Sequence, residues 1–373
     1  MVARVFVHVG LPKTATSYLQ TILWSQRDAL RERGVVVPGS ERRDHLWASR
    51  TVRHDPAQRR APEHHRTAWR RLVEELGTSD GTGLVSHEFF AAASADQARA
   101  MVAELPTDDV HLVVTAREPL GLFTASWQES LKNGATTPMP DYGRDESPKP
   151  TAIWNWRTLD LRLVLERWSQ AVPPERIHVV VLDPGAPRDD VWRRFADVVG
   201  FSPDGIDLSG SFPNTSMGVA EAETLRRVNG SLEGFRSAFD RGVYIRTFLA
   251  DERLVPRRGE RFWPEPDQVA DCRRRGEAAV AHLRSAPYDV VGDLDHLRVP
   301  DELEERRLTG SVTDAEVAGV AVDLVATMLG DVRTLRRRQA RTPGATGSRV
   351  VRRLPGGLRR LAGRALRVGR RRG

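Results

Sequence analysis

The sequence contains little cysteine, little lysine and no long apolar run. Among its 373 residues Cys272 is the single cysteine, so we expect neither an internal disulfide nor a thiolate metal cluster. No stretch of eighteen apolar residues occurs, which predicts that no transmembrane helix is present, and the N-terminus lacks the pattern of a secretory signal peptide. We therefore expect a cytoplasmic protein, and its 40% apolar residues are enough to bury a sizeable core.

Arginine has almost completely replaced lysine, and the charge is unevenly distributed. Lys13, Lys132 and Lys149 are the only lysines among 57 basic residues. Residues 336–373 hold fourteen arginines and no acid, so the rest of the chain has 43 basic against 50 acidic residues. The net charge of +7 therefore comes from the C-terminal end, and we expect no specific nucleic-acid partner. A lysine retained in such a chain indicates a need for a compact point charge, which directs attention to Lys13.

The Arg-rich end separates from the rest of the chain by composition. Residues 342–373 have leucines at roughly helical spacing with arginines between them. They are predicted either to form a basic amphipathic helix on an anionic membrane surface, which would make the protein peripheral at the inner membrane face, or to be a disordered tail. Residues 1–341 are predicted to form one α/β domain, of which 220–341 are a mostly helical extension.

Strand and helix patterns alternate through the first 200 residues. Short apolar runs predict strands, and segments with helical spacing follow them; residues 40–66 are polar without a clear period and predict a loop. This alternation predicts an α/β fold with a parallel sheet flanked by helices, followed by a helical C-terminal part. The predicted strands are 3–9, 35–37, 83–87, 110–115 and 177–182, and the predicted helices of this part are 17–33, 67–76, 95–105, 119–132, 154–171 and 188–199.

The turn after the first strand has the composition of a phosphate-binding loop. It runs Gly10-Leu11-Pro12-Lys13-Thr14-Ala15-Thr16-Ser17 and enters a helix, whose first N–H groups and positive dipole end attract anions. Lys13 adds a point charge, and the hydroxyls add hydrogen-bond donors. It is not a Walker A loop, because Gly10 lies only three residues before Lys13 and Pro12 occupies the position of the second glycine.

Two other predicted strands end in residues suited to ligand chemistry. The strand 110–115 leads into Arg117, whose guanidinium suits bidentate phosphate contact. The strand 83–87 ends in His87 and is followed by Glu88. The carboxyl ends of strands in a doubly wound sheet converge on the ligand crevice, so these residues are expected near Lys13. Because neighbouring strand residues face opposite ways, one of His87 and Glu88 is expected to reach the site.

On these residues the chain resembles sulfotransferases that use 3′-phosphoadenosine 5′-phosphosulfate (PAPS), in particular their bacterial branch. The segment Pro12-Lys13-Thr14-Ala15-Thr16-Ser17 is similar to the loop that wraps the 5′-phosphosulfate in that family. Ala15 stands where glycine is usual, which we expect to be tolerated if its φ is negative. The resemblance implies a P-loop NTPase-like fold of the sulfotransferase type.

The resemblance also implies roles for the other strand ends. Arg117 and Ser126 would hold the 3′-phosphate of PAPS, with Thr124 as a substitute because Ser126 lies one position beyond the usual spacing. Glu88, or alternatively His87, would be the general base, and Lys13 would stabilise the leaving phosphate. Metal is not required in this scheme, because Lys13, Arg117 and the helix dipole supply the positive field. The acceptor would be a small molecule or a glycan, and Trp154 and Trp156 suggest a carbohydrate or glycolipid.

Two other functions remain open from the sequence. A nucleotide or small-molecule kinase would need Mg²⁺ and an acidic residue after an apolar strand, for which Asp183 is available. A non-catalytic protein could instead bind a membrane or nucleic acid through residues 342–373. The kinase is disfavoured by the missing Gly-Lys-Ser/Thr pattern, and the tail-binding protein would not depend on Lys13.

Overall fold

A computed structural model of the chain describes residues 1–209, 216–235 and 237–341. The chain divides into two compact units, Met1–Val317 and Ala318–Gly373. The described part of the second unit is helical throughout. The predicted membrane-surface helix or tail at 342–373 lies outside the described residues, and the predicted domain boundaries stay a prediction.

The first unit is built on a parallel six-stranded sheet with the strand order β2-β3-β1-β4-β5-β7. Consecutive residues of its strands are buried, as in β1 and β4, because helices cover both faces of the sheet. Two short strands, β6 and β8, form a separate parallel pair. The strands are β1 (Arg4–His8), β2 (Val35–Val36), β3 (Thr82–Ser86), β4 (Val110–Ala116), β5 (Ile177–Val181), β6 (Phe262–Trp263), β7 (Asp289–Val291) and β8 (Arg307–Leu308).

Helices follow most of the strands, and their apolar faces fill the core. The first helix and the tenth, for example, bury Leu19 and Trp192 in a cluster with Phe6 and Val113 of the sheet. The helices are α1 (Thr16–Ser25), α2 (Arg27–Glu32), α3 (Arg43–Val52), α4 (Glu63–Arg66), α5 (Ala68–Thr78), α6 (Ala95–Ala103), α7 (Pro119–Lys132), α8 (Trp156–Leu159), α9 (Leu161–Trp168), α10 (Asp190–Val199), α11 (Val219–Ser231), α12 (Ala238–Asp240), α13 (Pro266–Arg284) and α14 (Asp314–Arg341). A π-helix spans Arg241–Leu254.

The predicted α/β class with a helical C-terminal part is confirmed. β1 lies between β3 and β4, with His8 in register with Ser86 on one side and Val113 on the other. The carboxyl ends of these three strands are therefore neighbours, and the loop after β1 starts between the other two. This arrangement brings the chain segments around Lys13, Glu88 and Arg117 to one edge of the sheet.

The structure corrects the sequence analysis at several elements. The predicted loop 40–66 contains α3 and α4, because α3 buries polar side chains such as Asp44 and His45, which conceal its helical pattern. The predicted helix 17–33 is broken at Gln26, and the helix predicted over 154–171 is two short helices separated by Asp160. β7 was not predicted, although it forms an edge of the main sheet. No helix of the described ranges is both long and apolar enough to cross a membrane.

Candidate functional site

The loop between β1 and α1 has an unusual backbone. Gly10, Lys13 and Ala15 have positive φ angles of 45°, 70° and 61°. A Cβ on Gly10 would collide with the Thr16 side chain, so glycine is required there. Ala15 adopts the left-handed conformation directly before α1, and no side chain caps that helix. The negative φ expected at Ala15 is therefore wrong, and this alanine adopts a backbone conformation that favours glycine.

A fully buried hydrogen-bond chain supports this loop from below. The Thr14 hydroxyl donates to the carbonyl of Leu11 (2.5 Å) and accepts from Thr115 (2.7 Å). Since the Thr115 hydroxyl is used as a donor, His8 Nε2–H donates to it (3.2 Å), and His8 Nδ1 accepts from Ser86 (2.8 Å). Burial lowers the pKa of His8 to about 4, so the ring is neutral at pH 7, as this arrangement requires.

These buried hydrogen bonds change the expected role of Thr14. Its hydroxyl points into the protein, and its side chain is fully buried. Thr16 is also buried, whereas Ser17 is exposed in the first turn of α1. The loop therefore offers the backbone N–H groups at the start of α1, the Ser17 hydroxyl and Lys13 to an anion, rather than the Thr14 hydroxyl.

His87 and Glu88 lie together at the end of β3. β3 ends at Ser86, and Glu88 begins a 3₁₀ turn, so the alternation of strand residues does not apply and the expectation that they face opposite ways is wrong. His87 Nδ1 lies 3.7 Å from Glu88 Oε2 and accepts a hydrogen bond from the N–H of Phe89 (3.1 Å). Glu88 accepts one from Gln20 of α1 (2.8 Å).

The electrostatics of this pair favour an ionised carboxylate beside a neutral imidazole. Burial lowers the pKa of His87 to about 4, although Glu88 opposes the shift. Burial also opposes ionisation of Glu88, but His87 and the hydrogen bond from Gln20 outweigh it, and the pKa of Glu88 lies below its usual value. With Nδ1 of the neutral ring accepting from Phe89, the ring proton lies on Nε2. Glu88 can therefore accept a proton at pH 7, whereas the lone pair of neutral His87, on Nδ1, is already used to accept from the N–H of Phe89.

A cavity of about 520 Å³ lies beside Lys13 on the β4 side of the loop. It contains the cations expected from the sequence, Lys13 and Arg117, and further cations that sequence analysis missed. The lining also includes Trp263, over whose ring the Arg306 guanidinium lies at 3.7 Å. The basic side chains outnumber the two acids, so the cavity favours an anion although the chain outside its C-terminal end is acidic. The basic and acidic lining residues are Lys13, Arg117, Lys132, Arg261, Arg306, Glu118 and Glu129.

The structure brings Arg117 to this cavity but not Ser126. Arg117 Nη2 pairs with Glu118 (3.1 Å) at the start of α7. The Ser126 hydroxyl is fully buried and bonded to the Tyr142 hydroxyl (2.6 Å), so the helix turns it away from the cavity. Thr124, on the same helix, lines the cavity. The correction follows from helix geometry, since residues two apart lie on different faces.

Glu129 is the principal feature that sequence analysis missed. Its buried carboxylate pairs with Lys13 (3.1 Å) and with Arg246 of the π-helix. Burial opposes ionisation, but Lys13 and Arg246 outweigh it and hold the pKa of Glu129 at about 2. Lys13 is therefore neutralised by Glu129 in this structure, and an anion entering the loop competes with that pair. A lone glutamate in a helix gives no sequence signal of such a contact.

The acidic groups considered for a metal site or a kinase do not line the cavity beside Lys13, although Asp183 shares a second cavity with Ala15 of the loop. Among the described residues, Glu41, Asp44 and His64 could share an ion, but Arg71 already pairs with Asp44 (2.6 Å). Asp183 accepts a hydrogen bond from the N–H of Gly185 (2.8 Å) and lines a separate cavity of about 260 Å³. Neither group lines the cavity beside Lys13.

The two predicted sugar-stacking tryptophans have different environments. Trp156 is buried and stacks on Phe123 with ring centroids 5.0 Å apart, so it belongs to the core. Trp154 is half-buried and makes an edge contact with Phe89 at 5.9 Å, beside Glu88. Trp154 and Phe89 thus form an aromatic edge next to the candidate base.

The chain is similar to a solved structure but matches no family model. No protein-family model matches this chain, and no curated protein matches it. A solved structure described as the crystal structure of a sulfotransferase from Alicyclobacillus acidocaldarius is similar to the chain, with a TM-score of 0.43 and 15% sequence identity. The alignment covers 76% of this chain and 96% of that one.

Proposed function

We propose that this protein is a sulfotransferase that moves the sulfuryl group of PAPS to an acceptor hydroxyl. The observation that carries the proposal is the order of groups along one edge of the sheet. Glu88 follows β3, the Lys13 loop follows β1, and Arg117 follows β4, with β1 in the middle. A donor with phosphates at both ends and an acceptor that must lose a proton match these three positions.

The residues beside the cavity fit a doubly phosphorylated donor. The uncapped start of α1 and Lys13 suit a 5′-phosphosulfate, and Arg117 with Thr124 suits a 3′-phosphate. Arg261 and Arg306 add positive charge to the same cavity. When bound, PAPS would supply an activated sulfuryl group. The protein has little covalent chemistry of its own to do, because such transfers depend on positioning and on charge stabilisation.

Within this proposal Glu88 is the general base and Lys13 the cation that stabilises the leaving phosphate. Glu88 is ionised and hydrogen-bonded at one oxygen by Gln20, which orients the carboxylate to accept a proton from the acceptor hydroxyl. Lys13 reaches an anion in the loop only after it leaves Glu129. Arg246 stays beside Glu129 and keeps that carboxylate compensated.

The aromatic edge beside Glu88 supports a carbohydrate or glycolipid as the acceptor class. Trp154 and Phe89 are partly exposed, and flat aromatic side chains suit the apolar face of a sugar ring. Arg53 is buried and donates to the carbonyls of Ser49 and Pro150, and its guanidinium lies 5.6 Å from the Phe89 ring, so it supports this aromatic edge from inside the protein.

Isothermal titration with 3′-phosphoadenosine 5′-phosphate, the desulfated donor, tests the donor site in the absence of Mg²⁺. We expect micromolar binding to the wild type and at least about tenfold weaker binding to Lys13→Ala and to Arg117→Ala, since each removes a charge-assisted contact. Lys149→Ala is the matched control, because Lys149 is exposed and lies outside the cavity lining. Equal binding by the Lys13 and Lys149 variants would contradict the proposal.

A transfer assay tests the base separately. Radiolabelled PAPS is incubated with a panel of sugars and glycolipids, and labelled product is counted for wild type, Glu88→Gln and His87→Gln. Loss of a general base costs roughly 100- to 10,000-fold in rate, so Glu88→Gln should lose transfer while it keeps donor binding. Full transfer by Glu88→Gln would remove Glu88 from this role.

A further inference from the structure

The middle of α14 exposes a continuous apolar stripe. Val322, Val325, Leu329 and Val332 are each between 45% and 67% exposed, which is unusual for large aliphatic side chains on one helix. We call these four residues the α14 stripe. Met328 and Leu335 are also exposed and flank it on one side. α14 buries Val320 and Leu324 on its other side, whereas the side chains of this stripe are left open to solvent, and a contiguous exposed apolar surface marks an interaction site.

The spacing of the α14 stripe identifies the kind of partner. The intervals between its members are three, four and three residues, which is the a/d pattern of a coiled coil with Val and Leu at the contact positions. Helices that lie on membrane surfaces usually carry aromatic residues on their apolar face, and 314–341 contains no Phe, Trp or Tyr. The pattern therefore favours a second helix over a lipid surface.

The stripe is also symmetric about Thr327. In an antiparallel pair centred there, Val322 of one helix lies opposite Val332 of the other, and Val325 lies opposite Leu329. The same two contacts recur on the far side of the centre, as a twofold axis requires. A helix whose a and d positions match under reversal is suited to pair with a copy of itself.

The charges of α14 favour the antiparallel direction. Residues 314–327 contain three acids and no base, whereas 328–341 contain five arginines and one acid. Asp314 pairs with Arg227 and Glu316 pairs with Arg307 within the same chain, so these acids do not decide the direction. The arginine runs do, and an antiparallel pair keeps the two runs at opposite ends. A parallel pair would place the two arginine runs side by side and repel.

We propose that α14 is a self-association element through which two copies of this chain pair as an antiparallel two-stranded coiled coil. The inference is independent of the proposed sulfotransferase activity, since it uses none of the residues of the cavity or the loop. The partner is a second copy of this chain, because the spacing of the stripe matches its own reverse and an antiparallel pair keeps the two arginine runs apart.

Sedimentation of the full chain tests the pairing. We expect a mass of twice the 41.7 kDa chain that falls to the monomer over a roughly hundred-fold dilution series. Val325→Glu with Leu329→Glu places two carboxylates in the contact and should give a monomer at every concentration. Thr327→Glu with Thr334→Glu adds the same charge on the opposite, exposed face and should leave the dimer intact. A wild-type monomer throughout, or equal effects of the two double variants, would overturn the proposal.

Cysteine cross-linking tests the direction. The native Cys272 is buried and gives a low background. In an antiparallel pair a chain with Val325→Cys should form a disulfide with a chain carrying Leu329→Cys, whereas Leu329→Cys alone should not. Cross-linking of Leu329→Cys with itself would indicate a parallel pair and would contradict the charge argument.

Flotation with phosphatidylglycerol vesicles covers the lipid alternative. If the wild type sediments as a monomer and floats with vesicles, and the Val325→Glu, Leu329→Glu variant is a monomer that does not float, the stripe binds lipid and the proposal is wrong. We expect the stripe variant and the wild type to behave alike toward vesicles.

Discussion

Glu129 should weaken donor binding, because it holds Lys13. Its carboxylate lies 3.1 Å from Lys13 Nζ, and at an effective dielectric constant of 20 two unit charges at that distance attract by about 5 kcal/mol. Burial of both groups and the remaining pair with Arg246 offset much of this energy. The pKa of about 2, against 4.5 for a free glutamate, corresponds to about 3 kcal/mol in favour of the charged form.

Glu129→Gln keeps the side-chain shape and removes the charge. We expect 3′-phosphoadenosine 5′-phosphate to bind about tenfold more tightly, that is by about 1.4 kcal/mol, because Lys13 no longer has to leave an anion. The free energy of unfolding should fall at the same time, since Lys13 and Arg246 lose their buried partner. Titration calorimetry and urea denaturation measure the two effects.

Glu74→Gln is the matched control for this change. Glu74 is exposed and, among the residues that the structure describes, pairs with the neighbouring Arg70 on α5 alone, so neither donor affinity nor stability should change measurably. Weaker donor binding by Glu129→Gln would refute the reasoning, because it would mean that the Lys13–Glu129 pair positions the lysine for the donor instead of competing with it.

Three further predictions concern the loop, its buried support and pH. Ala15→Gly removes a methyl group from a left-handed residue and should raise the free energy of unfolding by about 1 kcal/mol in chemical denaturation; a loss of stability would contradict the strain. Ser86→Ala leaves His8 Nδ1 without its donor and should lower the free energy of unfolding by about 1–3 kcal/mol in chemical denaturation. An unchanged denaturation midpoint would show that the buried hydrogen bonds under the loop contribute nothing to stability. The pKa values of His8 and His87 are about 4 in the folded protein and near 6.5 in the unfolded chain, so the unfolded state takes up protons first as the pH falls. Stability should therefore drop between pH 6.5 and 4, by about 3 kcal/mol for each histidine, and a melting temperature that stays flat over this range would contradict the shifts.

The sheet was predictable because its strands are buried on both faces. The apolar runs that became β1, β4 and β5 have no competing helical period, and the loop after β1 follows from glycine, lysine and hydroxyl residues before a helix. β7 was missed because its three residues are only partly buried at the edge of the sheet. α3 was missed because it buries hydrogen-bonded polar groups in place of an apolar face.

The site was only partly predictable, since local sequence does not fix which side chains meet across the fold. Lys13 and Arg117 follow strands and could be placed at one edge, but Glu129 and Arg246 are 117 residues apart. Their pairing depends on how the π-helix packs on α7. The direction of Ser126 and the left-handed conformation of Ala15 depend on local geometry that one residue's identity does not determine.

The central claim is that the cavity beside Lys13 binds a 3′-phosphorylated adenine nucleotide without metal. Titration calorimetry on the wild-type chain, comparing 3′-phosphoadenosine 5′-phosphate without Mg²⁺ with ATP in the presence of Mg²⁺, tests it most directly. We expect micromolar binding of the former and none of the latter. Binding of ATP with Mg²⁺, together with no response to 3′-phosphoadenosine 5′-phosphate, would contradict it and favour a kinase.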